Sequence, residues 1–163
     1  MKLFLIIFIL VRISFSQSEI KQSPSSFWIS LSNKEKISFI NGTYSALSVL
    51  KKKHKDEVAK QYLHDQNWIQ PYYIDRYYSI IDEYHSEQVG YDLKIIALHV
   101  DALYANSDNL NIPIMEAIKV VSLMQDGDRE KANLRLLQLQ SCLLYTSDAA
   151  DDTPCVDLGG RRI

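Results

Sequence analysis

Cysteine and glycine are scarce in this chain. Both cysteines, Cys142 and Cys155, lie beyond residue 141. The preceding residues therefore hold neither a disulfide framework nor the paired cysteine and histidine ligands of a structural zinc site. Those residues contain only the isolated glycines Gly42, Gly90 and Gly127, which excludes the glycine-rich loop that binds phosphates in nucleotide-binding proteins.

A surplus of one charge is also missing. The chain has 18 basic and 20 acidic residues and a formal net charge of −2. Nucleic-acid-binding domains usually show a basic surplus, so no nucleic-acid partner is predicted. Beyond its first residues the sequence lacks an apolar run of about 20 residues, the length that spans a bilayer. We therefore expect no stable membrane insertion.

The N-terminus has the pattern of a secretory signal peptide, which we place at residues 1–16. Lys2 supplies the positive start, residues 3–11 form an unbroken apolar run, and Ser14 and Ser16 are the small residues that a signal peptidase requires. We expect cleavage after residue 16 and a periplasmic or secreted protein. The alternative, a membrane anchor, is disfavoured because the apolar run is too short.

Residues 17–31 predict a flexible lead-in that ends in an apolar anchor, and residues 32–141 predict the helical domain. Ser32 begins the Ser-x-x-Glu pattern of a capping box at the start of the first helix. Gly42 within that helix predicts the close approach of another helix. The basic run at residues 51–55 predicts a solvated helix end, with an anion-binding or membrane-surface patch as the alternative.

Apolar residues recur at helical spacing most clearly between residues 93 and 125. Two helical faces are predicted, formed by Leu93, Ile96, Ala97, Val100, Leu103 and Tyr104 and by Ile114, Ala117, Ile118, Val121 and Met124. The polar residues 105–113 predict a short loop, so the two helices form an antiparallel hairpin. Gly127 predicts a left-handed cap, followed by a last helix from Arg129 to about Gln140. The fold class is therefore all-α, a small bundle of five or six short helices around this central hairpin.

An aromatic block precedes the hairpin. Trp68, Tyr72 and Tyr73 lie off the apolar face that the neighbouring residues form at helical spacing. Tyrosine combines a large contact area with a polar tip, which suits a partner-binding surface or a carbohydrate platform. The alternative is an amphipathic helix whose tyrosines border the core with their hydroxyls in water.

Asp82, His85 and Glu87 are the residues that come closest to the pattern of a metal-binding or catalytic site. Asp82 and His85 are three residues apart, so both side chains can reach one metal ion from a helix face. Neither a second such pair nor an HExxH motif is present in residues 17–141, and we identify no nucleophile–base pair there. The alternative is that these are solvated polar residues near a helix end. No catalytic residue, cofactor or metal site is predicted.

From Val100 to Ala117 the chain resembles a group of small exported bacterial helical proteins. The resemblance rests on Asp101, Tyr104, Asn109 and Ile112-Pro113. Trp28, as an aromatic just before the first helix, and Gly42 within that helix also match the group. Asn109 or Asn111 can bond backbone groups in the turn and Tyr104 can lie over the open end of the hairpin, so the motif residues are interpreted as structural. The layout is also similar to that of periplasmic immunity proteins that neutralise type VI secretion effectors, which implies a protein partner.

Residues 142–163 resemble a translated sequencing-library adapter of the transposase type. The resemblance rests on residues 142–152 and 155–163, while Thr153 and Pro154 fall in the variable index. It implies a non-native tail and a native C-terminus outside this sequence, so we exclude the tail from fold reasoning. We accordingly propose neither a disulfide nor a metal site for the two cysteines. The alternative is a genuine acidic tail.

These patterns favour an exported, non-enzymatic binding or interaction protein whose partner is another protein, with an immunity or inhibitor role as one form of it. The alternative is a small metal-dependent hydrolase or metal-binding protein that uses Asp82, His85 and Glu87. A third hypothesis is a structural or envelope-stress protein without a discrete ligand.

Overall fold

The protein is an all-α bundle. The structure, a computed structural model, describes residues 22–148, and within them it holds no strand. The helices are α1 (Pro24–Ser30), α2 (Asn33–Ala59), α3 (Gln61–His64), α4 (Tyr72–Asp82), α5 (Leu93–Tyr104), α6 (Ile114–Gln125) and α7 (Arg129–Asp148), with a 3₁₀ turn at Ser107–Asn109. The predicted fold class is confirmed. The predicted signal peptide lies outside the described residues.

Helix α6 lies at the centre of the bundle. Every residue from Ala117 to Leu123 is buried, and α5 and α7 both pack against this helix. Ile96 and Val100 of α5 are fully buried in the same core cluster. The hairpin predicted from apolar periodicity is therefore confirmed. Pro113 is the N-cap of the second helix of this hairpin. Its ψ of 141° is extended and places it just outside that helix.

Helix α2 is longer than predicted. Its capping box is present: the Ser32 hydroxyl accepts from the Glu35 N–H, and the Glu35 carboxylate accepts from the Ser32 N–H at 2.7 Å. The helix then continues through the basic run at residues 51–55 to Ala59, so the predicted helix end at that run is wrong. Lysine, glutamate and alanine have high helix propensity, and no glycine or proline interrupts this part of α2.

Gly42 lies on an exposed face of α2. No neighbouring atom lies within 4 Å of the position that a Cβ would occupy there. The predicted close approach of another helix is therefore wrong. The sequence signal was ambiguous, because a lone glycine in a helix is tolerated at a cost of about 1 kcal/mol whether or not a neighbour requires it.

Helix α1 attaches the N-terminal end to the bundle. The Ser23 hydroxyl accepts from the Ser26 N–H at 3.2 Å, and Pro24 occupies the first turn, where its missing N–H costs nothing. Trp28 is fully buried in the core, whereas Ile29 is 65% exposed. The indole therefore makes the main apolar contact of this segment.

Helix α7 follows the left-handed residue Gly127, whose φ is +86°. It runs to Asp148, beyond the end predicted near Gln140. Cys142 is disulfide-bonded, so the expectation of no disulfide is wrong. Residues 142–148 of the predicted tail continue α7, and residues 149–163 lie outside the described residues. Across residues 22–148, no helix combines the length and the apolar character needed to cross a membrane.

Candidate functional site

Exposed aromatic and aliphatic side chains concentrate in residues 62–77, which we call the aromatic segment. Of the predicted partner-binding residues, Tyr72 is 83% and Tyr73 is 63% exposed. Trp68 is half-buried, with its ring edge-on to Tyr62 at a centroid distance of 4.9 Å. The remaining large exposed apolar side chains of the segment are Tyr62, Leu63, Ile69 and Tyr77.

The two faces of α4 explain this exposure. Ile74, Tyr78 and Ile81 recur at helical spacing and are buried, so Tyr72 and Tyr73 necessarily face away from the bundle. The buried face rests on α2, where His54 Nδ1 lies 2.9 Å from the Tyr78 hydroxyl. The Tyr78 ring also receives the Lys55 ammonium at 5.0 Å from its centroid. The buried face of α4 therefore attaches the aromatic segment to α2.

Asp82, His85 and Glu87 line one cleft between α2 and the turn after α4, which has a volume of about 360 Å³. Asp82 forms an ion pair with Lys51, and the His85 ring stacks on Tyr44 at a centroid distance of 4.5 Å. The described part of the chain contains no group of three or more His, Cys, Asp or Glu side chains arranged to hold a metal ion. Asp82 and His85 therefore contact different partners, and the three residues do not form a metal-binding group.

Asp126 shapes the turn that presents His85 and Glu87. Its carboxylate accepts from the Ser86 hydroxyl at 2.5 Å and from the backbone N–H groups of Glu87 and Gln88 at 3.2 and 3.1 Å. Sequence reasoning missed this contact, because forty residues separate Ser86 from Asp126 and no local pattern relates them.

A partly buried ionic network ties the same turn to α6 and α7. The Glu83 carboxylate lies 2.9 Å from the Lys119 ammonium and 3.2 Å from that of Lys131. Burial on its own would raise the pKa of Glu83, but hydrogen bonds and charge from the two lysines outweigh it and hold the pKa below its usual value. Sequence reasoning missed this network too, although a lysine inside the apolar run of α6 signals a buried partner.

Tyr84 extends this network towards α7. Its hydroxyl donates to the Glu116 carboxylate at 3.2 Å, and Glu116 also accepts from Arg135 at 2.9 Å. Burial, together with the nearby negative charge of Glu116, raises the pKa of Tyr84 to about 12. The tyrosine is thus neutral at physiological pH and serves as a hydrogen-bond donor.

The motif residues around the hairpin make contacts between elements. Asp101 accepts from the Trp28 indole N–H and from the Lys36 ammonium, each at 2.7 Å. The Tyr104 hydroxyl donates to the Ile112 carbonyl at 2.7 Å. The Asn109 side-chain amide donates to the Leu103 carbonyl at 2.8 Å, and its oxygen accepts from the Gln140 side-chain amide at 2.9 Å.

Comparison with known proteins adds no assignment: no family model, curated protein or solved structure matches this chain. The candidate site is therefore defined by its residues alone. It consists of the exposed aromatic segment and, beside it, the polar cleft along α2.

Proposed function

We propose that this protein is an exported, non-enzymatic binding protein that contacts another protein through its aromatic segment. The observation that carries the proposal is the exposure of Tyr72 and Tyr73, 83% and 63%, on a helix whose opposite face is buried. Tyrosine is enriched at the energetic centres of protein interfaces, because it buries a large area while its hydroxyl still finds a hydrogen-bond partner.

The position of these tyrosines suits binding. Both lie in the first turn of α4, so their backbone is already ordered and little entropy is lost when a partner immobilises two χ angles. Ile69, 85% exposed just before the helix, adds apolar area beside them. Export is supported by the signal-like residues 1–16, and an immunity or inhibitor role by the similarity of layout to periplasmic immunity proteins.

A capture experiment with matched variants tests the proposal. The purified protein is immobilised and exposed to the secreted proteins of its source, beside a Tyr72→Ser/Tyr73→Ser variant. Tyr91→Ser is the control, because Tyr91 is fully exposed in the loop before α5, outside the aromatic segment. We expect a partner that the wild type and the control retain and the double variant loses.

The size of the effect follows from interface energetics. Truncating a central interface tyrosine costs about 2 kcal/mol or more, so the double variant should bind at least about 100-fold more weakly in a titration of the captured partner. Retention of the partner by all three proteins would refute the aromatic segment as its binding surface. Unchanged circular dichroism spectra would show that each variant is folded.

A further inference from the structure

The cleft along α2 combines an apolar interior with a charged rim. Tyr44 and Ile81 are buried and Leu47 is half-buried, whereas Lys52 and Glu87 are exposed at the opening. The volume of about 360 Å³ is at the lower end of the range for small-molecule pockets. A ligand that fits this cleft is therefore small, with an apolar part and a charged part.

The α2 wall of the cleft follows from helical spacing. Tyr44, Leu47, Lys51 and Lys55 recur every three or four residues, so they lie on one face of the helix and point into the same space. The opposite wall is the end of α4 and the turn that Asp126 holds through its contacts with Ser86, Glu87 and Gln88. Contacts within the protein thus position both walls of the cleft.

The charges on the rim are only partly paired. Lys51 forms an ion pair with Asp82, and the Lys55 ammonium lies over the Tyr78 ring. Within residues 22–148, the side chains of Lys52, Asp56 and Glu87 have no hydrogen-bond or ion-pair partner. The rim therefore offers one ammonium group and two carboxylates to a ligand.

We propose that this cleft binds a free α-amino acid with an apolar side chain. Such a molecule has a carboxylate for Lys52 and an ammonium group for Glu87 or Asp56, while its side chain occupies the space above Leu47 and Ile81. A ligand that carries both charges can form charge-assisted hydrogen bonds with the ammonium group and with a carboxylate of the rim. A simple anion or cation would use half of the rim and leave the apolar interior empty.

Isothermal titration calorimetry of the purified protein with L-leucine and L-phenylalanine tests the proposal. For about ten non-hydrogen atoms we expect a Kd on the order of 0.1–1 mM. N-acetyl-L-leucine keeps only the negative charge and L-leucine amide only the positive one. Each should bind about tenfold more weakly, because one charge-assisted contact is lost.

Variants locate the site. Lys52→Gln and Glu87→Gln should each weaken L-leucine binding about tenfold. Lys94→Gln, which removes an exposed lysine of α5, should leave it unchanged. Because none of these residues belongs to the aromatic segment, loss of partner capture and loss of amino-acid binding are separate outcomes.

Three results would overturn the proposal. Equal affinity for N-acetyl-L-leucine or inorganic phosphate would make the cleft an anion site, and equal affinity for L-leucine amide would make it a cation site. Absence of a heat signal up to about 10 mM ligand, beyond the expected Kd range, would show that the cleft does not take amino acids.

Discussion

Asp101 is the shared acceptor of two donors that the bundle buries. The Trp28 indole is fully buried, and the side chain of Lys36 is only 9% exposed. Both donate to the same carboxylate oxygen of Asp101. A buried ammonium that loses its carboxylate is strongly destabilising, so Asp101 links α1 and α2 to α5 through one oxygen atom.

Replacing Asp101 with asparagine should therefore reduce stability. Asparagine keeps the size and one acceptor oxygen, but the Lys36 ammonium loses its counter-charge. We expect the free energy of unfolding in urea to fall by about 1–3 kcal/mol. Asp92→Asn, at an exposed acid before α5, is the matched control and should change it by less than about 0.5 kcal/mol. Equal losses in the two variants would contradict the role given to Asp101.

The lowered pKa of Glu83 predicts that the stability of the protein depends on pH. Its pKa is lower in the folded protein than in the unfolded chain, so its stabilising contribution is present above about pH 4.5 and is lost as the pH falls through the folded pKa. Glu83→Gln should thus destabilise the protein at pH 7 by about 2–4 kcal/mol, and the difference from wild type should shrink below about pH 4.5.

Urea denaturation at a series of pH values measures this difference. Glu130→Gln is the control, because Glu130 is exposed at the start of α7, and its difference from wild type should stay small throughout. A gap between wild type and Glu83→Gln that stays constant down to pH 3 would show that the carboxylate is not held ionised by Lys119 and Lys131.

At the scale of a helix, two glycines should respond in opposite directions to the same substitution. Gly42 is exposed within α2 with no atom near the Cβ position, so Gly42→Ala should stabilise the protein by about 0.5–1 kcal/mol. Gly127 has a φ of +86°, where alanine is strained, so Gly127→Ala should destabilise it by about 1 kcal/mol. Thermal unfolding compares the two, and destabilisation by Gly42→Ala would reveal a contact at that face.

Local signals were sufficient to predict several element boundaries. The capping box at Ser32, the left-handed Gly127 and the spacing from Leu93 to Gln125 each depend on neighbouring residues, so the sequence alone shows them. The continuation of α2 through residues 51–55 was missed because like charges in series resemble a solvated helix end. Contact between Tyr78 and α2 keeps that part of the helix ordered.

At the scale of the whole molecule, α4 is peripheral. The main core cluster draws on α1, α2, α5, α6 and α7 and the loop before α6 but, among the described residues, includes none from α4. Ile74, Tyr78 and Ile81 are buried separately, against α2. The helix that displays Tyr72 and Tyr73 is therefore held by its contacts with α2 and contributes no side chain to the main core cluster.

Native-state hydrogen exchange should resolve this difference. We expect the amides of α4 to open locally, with protection factors on the order of 100-fold lower than those of α5 and α6. Amides at the centre of α6 serve as the internal reference, because Ala117–Leu123 are all buried. Equal protection in α4 and α6 would show that the aromatic segment unfolds only with the entire bundle.

The sequence by itself determined the all-α class, the central hairpin and the helix caps, because periodicity and capping depend on residues within a few positions of one another. Only the tertiary structure decided which charges meet: Lys36 with Asp101 and Glu83 with Lys119. It also decided that Asp82, His85 and Glu87 face a shared cleft while contacting different partners. Such pairings depend on how helices cross, and the crossing is set by the packing of the whole core, which no short stretch of sequence specifies.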